Sequence, residues 1–416
     1  MDTTAAPTNT HAPRDPRDQH VLVVGASAAG LATAEALRRN GHRGRLTLLD
    51  AEPHLPYDRP PLSKQLLSGE WTADRVILRD QKMLDSLDAE FLLGESATSL
   101  HVSTRTVTTG SGQEVSADAI VLATGLRARH LPTALGTGDR GAPAGIHVLR
   151  TLDDAHRLKE ALASTARLVV VGNGVLGCEI AATARQLGVK VTLVGAAEAP
   201  MAPQLGALGS RLLAGLHSTH GVQLLGERRV AAVQHSGGRV SGVELTSGEV
   251  LPADTVVVAI GSEPVTGWLA GSGLELDDGI VCDTFCRAAD GVWAVGDVAR
   301  WHHAGLGEPV RLENRTNATE QAIAVARDIL GKGEPYAPVP YFWTDQYGVR
   351  IQVHGLIPGS AQLEVTDGDP ADGRFVAVAI DDGRMVGVLG WAMPKQTRQR
   401  RQELMAEAGV DVPALN

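Results

Sequence analysis

Two glycine-rich segments stand 147 residues apart, each between an apolar run and a stretch compatible with a helix. The first is Val21-Leu22-Val23-Val24-Gly25-Ala26-Ser27-Ala28-Ala29-Gly30. The second is Leu168-Val169-Val170-Val171-Gly172-Asn173-Gly174-Val175-Leu176-Gly177. The apolar runs read as buried parallel strands, residues 31–39 and 178–187 as the helices that follow, and residues 46–49 and 189–194 as second strands. In such a unit the first glycine permits the tight strand-to-helix turn. The second position lets the backbone approach a pyrophosphate, and the third glycine lets helix and strand pack closely. The helix N-terminus adds free N–H groups for the anion. Two units predict two dinucleotides, and a chain that holds two is expected to move electrons between them.

The repetition extends further. Residues 112–125 (GQEVSADAIVLATG) resemble residues 248–261 (GEVLPADTVVVAIG), and each segment runs a buried strand into a glycine. This predicts two copies of one unit, the second inserted in the first. Residues 20–150 and 254–330 are read as the first unit and 151–253 as the second. Residues 331–416 are read as a separate C-terminal module. It has strand-like runs at 349–353, 375–380 and 385–389, a helical stretch at 394–408, and a Gly/Pro-containing linker at 331–340. Residues 1–19 are polar, lack the apolar core of a signal peptide, and read as a disordered tail.

A chain of 416 residues needs two or three domains. No apolar run reaches the roughly 18 residues of a membrane span, so a cytoplasmic protein is expected. The net charge of −10 argues against nucleic-acid binding. The three cysteines, Cys178, Cys282 and Cys286, are odd in number and widely spaced, as in a reduced compartment. Cys282 and Cys286 would lie about 13 Å apart on an extended segment, too far for a disulfide. The histidines show no metal-ligand spacing, and no metal site is expected.

Asp50 closes the second strand of the first unit, where a carboxylate can accept hydrogen bonds from ribose hydroxyls. The matching place in the second unit is Gly195, with Ala196 and Ala197 after it. It offers neither a carboxylate for a ribose nor an arginine for a 2′-phosphate, and Glu198 is the nearest acid. NADH is weakly favoured over NADPH. Further along, Gly291-Val-Trp-Ala-Val-Gly296-Asp297 runs a strand into a carboxylate. In flavoproteins with two such units this element meets the ribityl chain of FAD, which assigns FAD to the first unit and NAD(P)H to the second.

From residue 20 to about 410 the chain resembles the FAD-dependent reductases that pass electrons from NADH to ferredoxins serving Rieske oxygenases and haem-thiolate monooxygenases. These belong to the pyridine-nucleotide-disulfide reductase superfamily. The most specific element is Pro56-Tyr57-Asp58-Arg59-Pro60-Pro61-Leu62-Ser63-Lys64, followed by Tyr341-Phe342-Trp343-Thr344-Asp345-Gln346. With Tyr347, the latter stretch holds four of the chain's fourteen aromatics, and Asp345 and Gln346 within it suggest a cofactor wall rather than a core. The resemblance implies an α/β, glutathione-reductase-like fold: two Rossmann-like domains, one inserted in the other, and an α+β C-terminal domain that caps the flavin.

It also implies roles for matching residues. Lys64 would lie beside flavin N5 and pair with Glu179; a fixed cation there stabilises the negative charge that hydride arrival creates. Arg59, and Arg127 after Ala123-Thr124-Gly125, would contact FAD. Ala97 would make a backbone contact to adenine, and Trp343 would stack near the isoalloxazine. Ile260-Gly261 would serve the second nucleotide as Thr124-Gly125 serves the first. Arg315, in Glu313-Asn314-Arg315, departs from the aromatic or aliphatic residue often found in its slot. The CxxxxC redox pair of the disulfide-reducing branch is absent from residues 50–75.

The leading expectation is a ferredoxin–NAD(P)+ reductase. The runner-up is a flavin-dependent oxidoreductase or oxidase acting on an organic metabolite. A third reading, a redox-sensing partner-binding flavoprotein, fits the acidic balance less well. A ferredoxin would need a local basic patch, and Lys395, Arg398, Arg400 and Arg401 supply one. A monomer or a homodimer is compatible with the sequence.

Overall fold

The computed structural model describes residues 15–132, 135 and 143–407. Both glycine-rich segments sit at the C-terminal ends of central parallel strands. Val21–Val24 lies between Leu46–Asp50 and Ala119–Leu122 in a six-stranded sheet completed by Glu90–Leu93 on one side and by Val292–Ala294 and Arg287–Ala289 on the other. Arg167–Val171 lies between Lys190–Val194 and Thr255–Val258 in a five-stranded sheet completed by Gln223–Leu225 and Ile146–His147. The helices Ala28–Arg39 and Val175–Gln186 come directly after the two turns. Central strands carry unbroken apolar runs because both faces are covered.

The duplication holds down to individual contacts. Gly25 N donates to Leu49 O and Gly172 N to Val194 O, both at 2.7 Å; Ala123 N donates to Val24 O and Ala259 N to Val171 O, again at 2.7 Å. A Cβ on Gly25 would stand 2.2 Å from Ala123 O, and one on Gly172 would stand 2.1 Å from Ala259 O. Both glycines also have positive φ, so side chains are excluded twice over. Each unit also carries a three-stranded meander, at 97–116 and 230–252. The chain crosses between the units on Leu126–Ala128 and returns on Ser262–Pro264, and these two segments pair antiparallel.

The structure corrects three expectations. Ile146–His147 and Thr255–Val258 are strands of the second sheet, so the second unit extends beyond 151–253 at both ends. Residues 1–14 of the expected tail lie outside the described residues. Residues 15–19 do not form a tail: Pro16–Asp18 is a 3-10 turn, Arg17 O accepts from Arg43 N and Gly44 N, and Gln19 O meets His42 Nε2 at 2.9 Å. Cys282 and Cys286 do not share an extended segment. Cys282 ends the strand Ile280–Cys282, whereas Cys286 sits at φ 62° in the turn beyond it; both are buried free thiols, as is Cys178.

The C-terminal module is an antiparallel sheet in the order Tyr341–Gln346, Val349–Gly355, Arg384–Trp391, Arg374–Asp381, Gln362–Asp369, with the helix Pro394–Glu407 packed on it. Its first hairpin docks on the second unit through buried polar contacts. His217, fully buried at the end of helix Ala202–Thr219, contacts Gln346 Oε1 through Nε2 at 2.7 Å and the Tyr347 hydroxyl through Nδ1 at 3.3 Å. Burial pushes the His217 pKa down to about 4, so the imidazole is neutral in the folded protein. The unfolded chain takes up a proton near pH 6.5 and the folded one only near 4, so stability is fully present above about 6.5 and falls as pH drops towards 4. In urea unfolding, the stability lost between pH 7 and about 4.5 should be about 2–3 kcal/mol smaller in His217→Asn than in the parent. Equal losses would contradict the assignment of this pH dependence to His217.

Candidate functional site

The side chain of Glu179 joins all three modules. It lies in the first turns of the helix after the second glycine turn and is 5% exposed. Its Oε2 accepts from Ser63 Oγ at 2.5 Å and faces Lys64 Nζ at 2.8 Å; its Oε1 accepts from Thr344 Oγ1 at 2.7 Å. Ser63 and Lys64 belong to a short π-helical turn, Leu62–Leu66, which the same helix holds from its next turn: Thr183 Oγ1 donates to Ser63 O at 2.7 Å. Thr344 is fully buried and receives a further hydrogen bond from Gln346 Nε2 at 3.1 Å. The cation at Lys64 is thereby fixed relative to both glycine turns.

The first unit supplies a polar cradle. Asp50 Oδ2 accepts from Ala26 N at 2.5 Å and Oδ1 from Glu52 N at 2.9 Å; burial raises its pKa and these two N–H groups oppose the rise. Ala26, Ser27, Asp50, Glu52, Tyr57 and Arg59 line one cleft. Ser27 precedes the helix without capping it through its side chain, leaving the N–H groups of Ala28 and Ala29 open to an anion, and Gly30 packs on Gly25 O. Gly296 has φ 73° and would bring a Cβ to 3.0 Å from the methyl of Ala29, so Asp297 is carried close over the first helix turn. Thr124 Oγ1 donates to Val265 O at 2.9 Å, and Gly125 adopts positive φ beside Arg150.

The remaining candidates each have a defined place in the fold. Arg127 is 68% exposed and pairs with Glu263 at 2.6 Å; Arg150, which no sequence motif marks, reaches Asp297 at 3.2 Å and Leu126 O at 3.1 Å. Arg59 braces the cleft, donating to Glu52 Oε1 at 2.8 Å and Arg150 O at 2.7 Å. Asp345 and Gln346 both have protein partners. Asp345 pairs with Arg350 across the hairpin at 2.8 Å, and Gln346 points to His217. Trp343 lies on the strand face opposite Gln346, stacked on Tyr341 with ring centroids 5.7 Å apart. Ala97 opens its meander strand against the first core. Arg315 pairs with Asp58 at 2.7 Å, tying the Pro56–Lys64 motif to the helix Arg315–Ile329. Arg400 is held by Asp367 and Glu403, whereas Lys395 and Arg398 are exposed and Arg401 is half-buried.

In the second unit, Gly174 precedes the helix Val175–Gln186 with open space where a side chain would be, and Val175, Leu176 and Gly177 form its first turn. Ile260 is 38% exposed beside Gly261 at φ 95°. Gly195 comes directly after the second strand, and its carbonyl accepts from Arg228 N at 2.9 Å, so an arginine does stand beside this position. It was invisible in sequence because it comes from the next strand's end.

Two glycine cradles of one design, with a cation only 12% exposed between them, define an oxidoreductase that binds two dinucleotides. A family model described as pyridine nucleotide-disulphide oxidoreductase matches residues 19–322, and one described as reductase C-terminal matches residues 341–416. The chain belongs to the pyridine nucleotide-disulphide oxidoreductase family. It is 35% identical to rhodocoxin reductase of Rhodococcus erythropolis, covering 93% of this chain and 90% of that one. It is 37% identical to the ferredoxin reductase component of chlorobenzene dioxygenase of a Cupriavidus species, covering 94% of each. The crystal structure of the covalent putidaredoxin reductase–putidaredoxin complex superposes with a TM-score of 0.89, at 32% identity over 94% of this chain and 93% of that one.

Replacing Glu179 by Gln leaves Lys64, largely shielded from solvent, without its anion. Removing one partner of a buried ion pair costs on the order of 3 kcal/mol. Urea unfolding should show that loss for Glu179→Gln, and Lys64→Met in the same chain should recover most of it. Additive losses would mean that the two groups do not interact.

Proposed function

We propose that this chain carries electrons from a reduced nicotinamide dinucleotide, through FAD, to a ferredoxin-type iron–sulfur protein that serves an oxygenase. The observation that carries the reading is the Lys64–Glu179 pair at the junction of three modules, in a chain whose relatives are named ferredoxin reductases. The residues present fit FAD in the first unit. A turn closed to any side chain at Gly25, an uncapped helix start at Ser27, and the carboxylates of Asp50 and Asp297 suit a pyrophosphate between two hydroxyl-bearing ends. Arg150, paired with Asp297, adds positive charge on that side.

Bound in the first unit, FAD would supply two-electron acceptance from the nicotinamide and one-electron donation to the partner. The chain's residues set the conditions. Lys64 holds a fixed cation where negative charge arrives, and Glu179 holds Lys64 in place. Gly172, Gly174 and Gly177, with Asn173, Val175 and Leu176, bind the nicotinamide nucleotide, and Ile260 and Gly261 flank it. Trp343, from the C-terminal module, would help to hold the flavin. Lys395, Arg398 and Arg401 steer the acidic partner, while Arg400 is already neutralised by Asp367 and Glu403. Purified protein should bind FAD, turn yellow, and reduce a [2Fe–2S] ferredoxin with NADH or NADPH. Charge reversal at Arg398 and Arg401 should raise the apparent KM for ferredoxin steeply at low salt and little at high salt, with ferricyanide reduction unchanged. A patch without effect at any ionic strength overturns the docking role. Ferredoxin reduced no faster than small dyes would favour an organic metabolite as the acceptor.

A further inference from the structure

Resting on the reading that the second unit holds the nicotinamide nucleotide, we propose that Arg228 binds the 2′-phosphate of NADPH and that the enzyme uses NADPH at least as well as NADH. The adenosine ribose of a dinucleotide lies at the end of the strand after the glycine turn. A carboxylate there selects the free 2′-hydroxyl, and an arginine nearby accommodates the 2′-phosphate. Here that strand, Lys190–Val194, runs into Gly195. A side chain at 195 would have to displace Asn173: its Cβ would stand 1.9 Å from Asn173 Cγ. Asn173 is itself held there, its Nδ2 donating to Ala197 O at 2.9 Å and to Ala199 O at 3.4 Å. The fingerprint's own second residue thus fills the place where a selecting carboxylate would be.

The backbone of Gly195 brings an arginine to the same place. Gly195 N donates to Leu225 O at 3.0 Å, and Arg228 N donates to Gly195 O at 2.9 Å, so the end of the neighbouring strand is tied to this position. Arg228 is exposed, and it has no carboxylate partner among the described residues. Among those residues the Arg228 guanidinium has one polar contact, to Glu227 O at 3.3 Å. Glu198 and Glu227, both exposed, are the acids of the same loops, and Glu227 N is bound to Ala197 O. An exposed guanidinium without a carboxylate partner among the described residues, on a residue whose backbone is tied to a strand end that lacks an acid of its own, suits a doubly charged phosphate monoester better than a hydroxyl.

The test uses the full chain loaded with FAD. Calorimetry should show adenosine 2′,5′-bisphosphate binding at least about tenfold tighter than 5′-AMP. Arg228→Ala should cut that advantage by roughly tenfold, the worth of one charge-assisted hydrogen bond, with 5′-AMP unaffected. In rapid-mixing measurements of flavin reduction, kcat/KM for NADPH should equal or exceed that for NADH, and Arg228→Glu should reverse the order. Equal binding of the two adenosine nucleotides, or an Arg228→Ala variant that keeps the advantage, overturns the proposal. Reduction by neither NADH nor NADPH would instead overturn the proposed function, and the calorimetric comparison would still decide the role of Arg228.

Discussion

One carboxylate organises this molecule. Glu179 is buried, and a buried carboxylate persists only where its oxygens are satisfied. Its three partners, Ser63, Lys64 and Thr344, come from the first dinucleotide unit and the C-terminal sheet, while Glu179 itself belongs to the second unit. No rearrangement of one module leaves this centre intact. The contacts around it extend the constraint: Thr183 holds Ser63, and Gln346 links Thr344 to His217. A short helical turn at 62–66 therefore acquires a fixed place between two nucleotide cradles, and with it the ammonium group proposed to face the flavin.

The two cradles show how duplication separates fold from specificity. The turn geometry is common to both, because steric closure by Ala123 O and Ala259 O leaves only glycine at 25 and 172. The residues just beyond the second strand of each unit are free to differ. In the first unit Asp50 is held by two backbone N–H groups; in the second, Asn173 fills the corresponding space, and a side chain at 195 would have to displace it. Selectivity for one nucleotide or another rests on these few side chains, not on the sheets that carry them.

The parts legible in the sequence were those encoded locally. Glycine turns, apolar runs and helix stretches declared both central strands and the helix after each, because a short stretch of residues decides them. The Lys64–Glu179 pair came through family resemblance; nothing local marks residues so far apart as partners. Ser63, Thr344, Arg150 and Arg228 escaped for the same reason, each acting through a contact that only the folded chain creates. The strand Gln362–Asp369 has no clear sequence signal because it is an exposed edge strand with few apolar residues, and its pairing comes from Arg374–Asp381. A boundary at 254 falls too early because Thr255–Val258 is the second unit's own copy of Ala119–Leu122, and it precedes the crossing point instead of coming after it.

Glu179 is proposed to hold the Lys64 cation against the flavin, and the most direct measurement of that role is the two-electron midpoint potential of the bound FAD in the parent and in Lys64→Met. A nearby cation favours the reduced, anionic form, so its loss should lower the potential. A contribution of about 1–2 kcal/mol corresponds to roughly 20–40 mV for a two-electron couple. An unchanged potential, with FAD still bound, would contradict this role and leave Lys64 with a purely structural one.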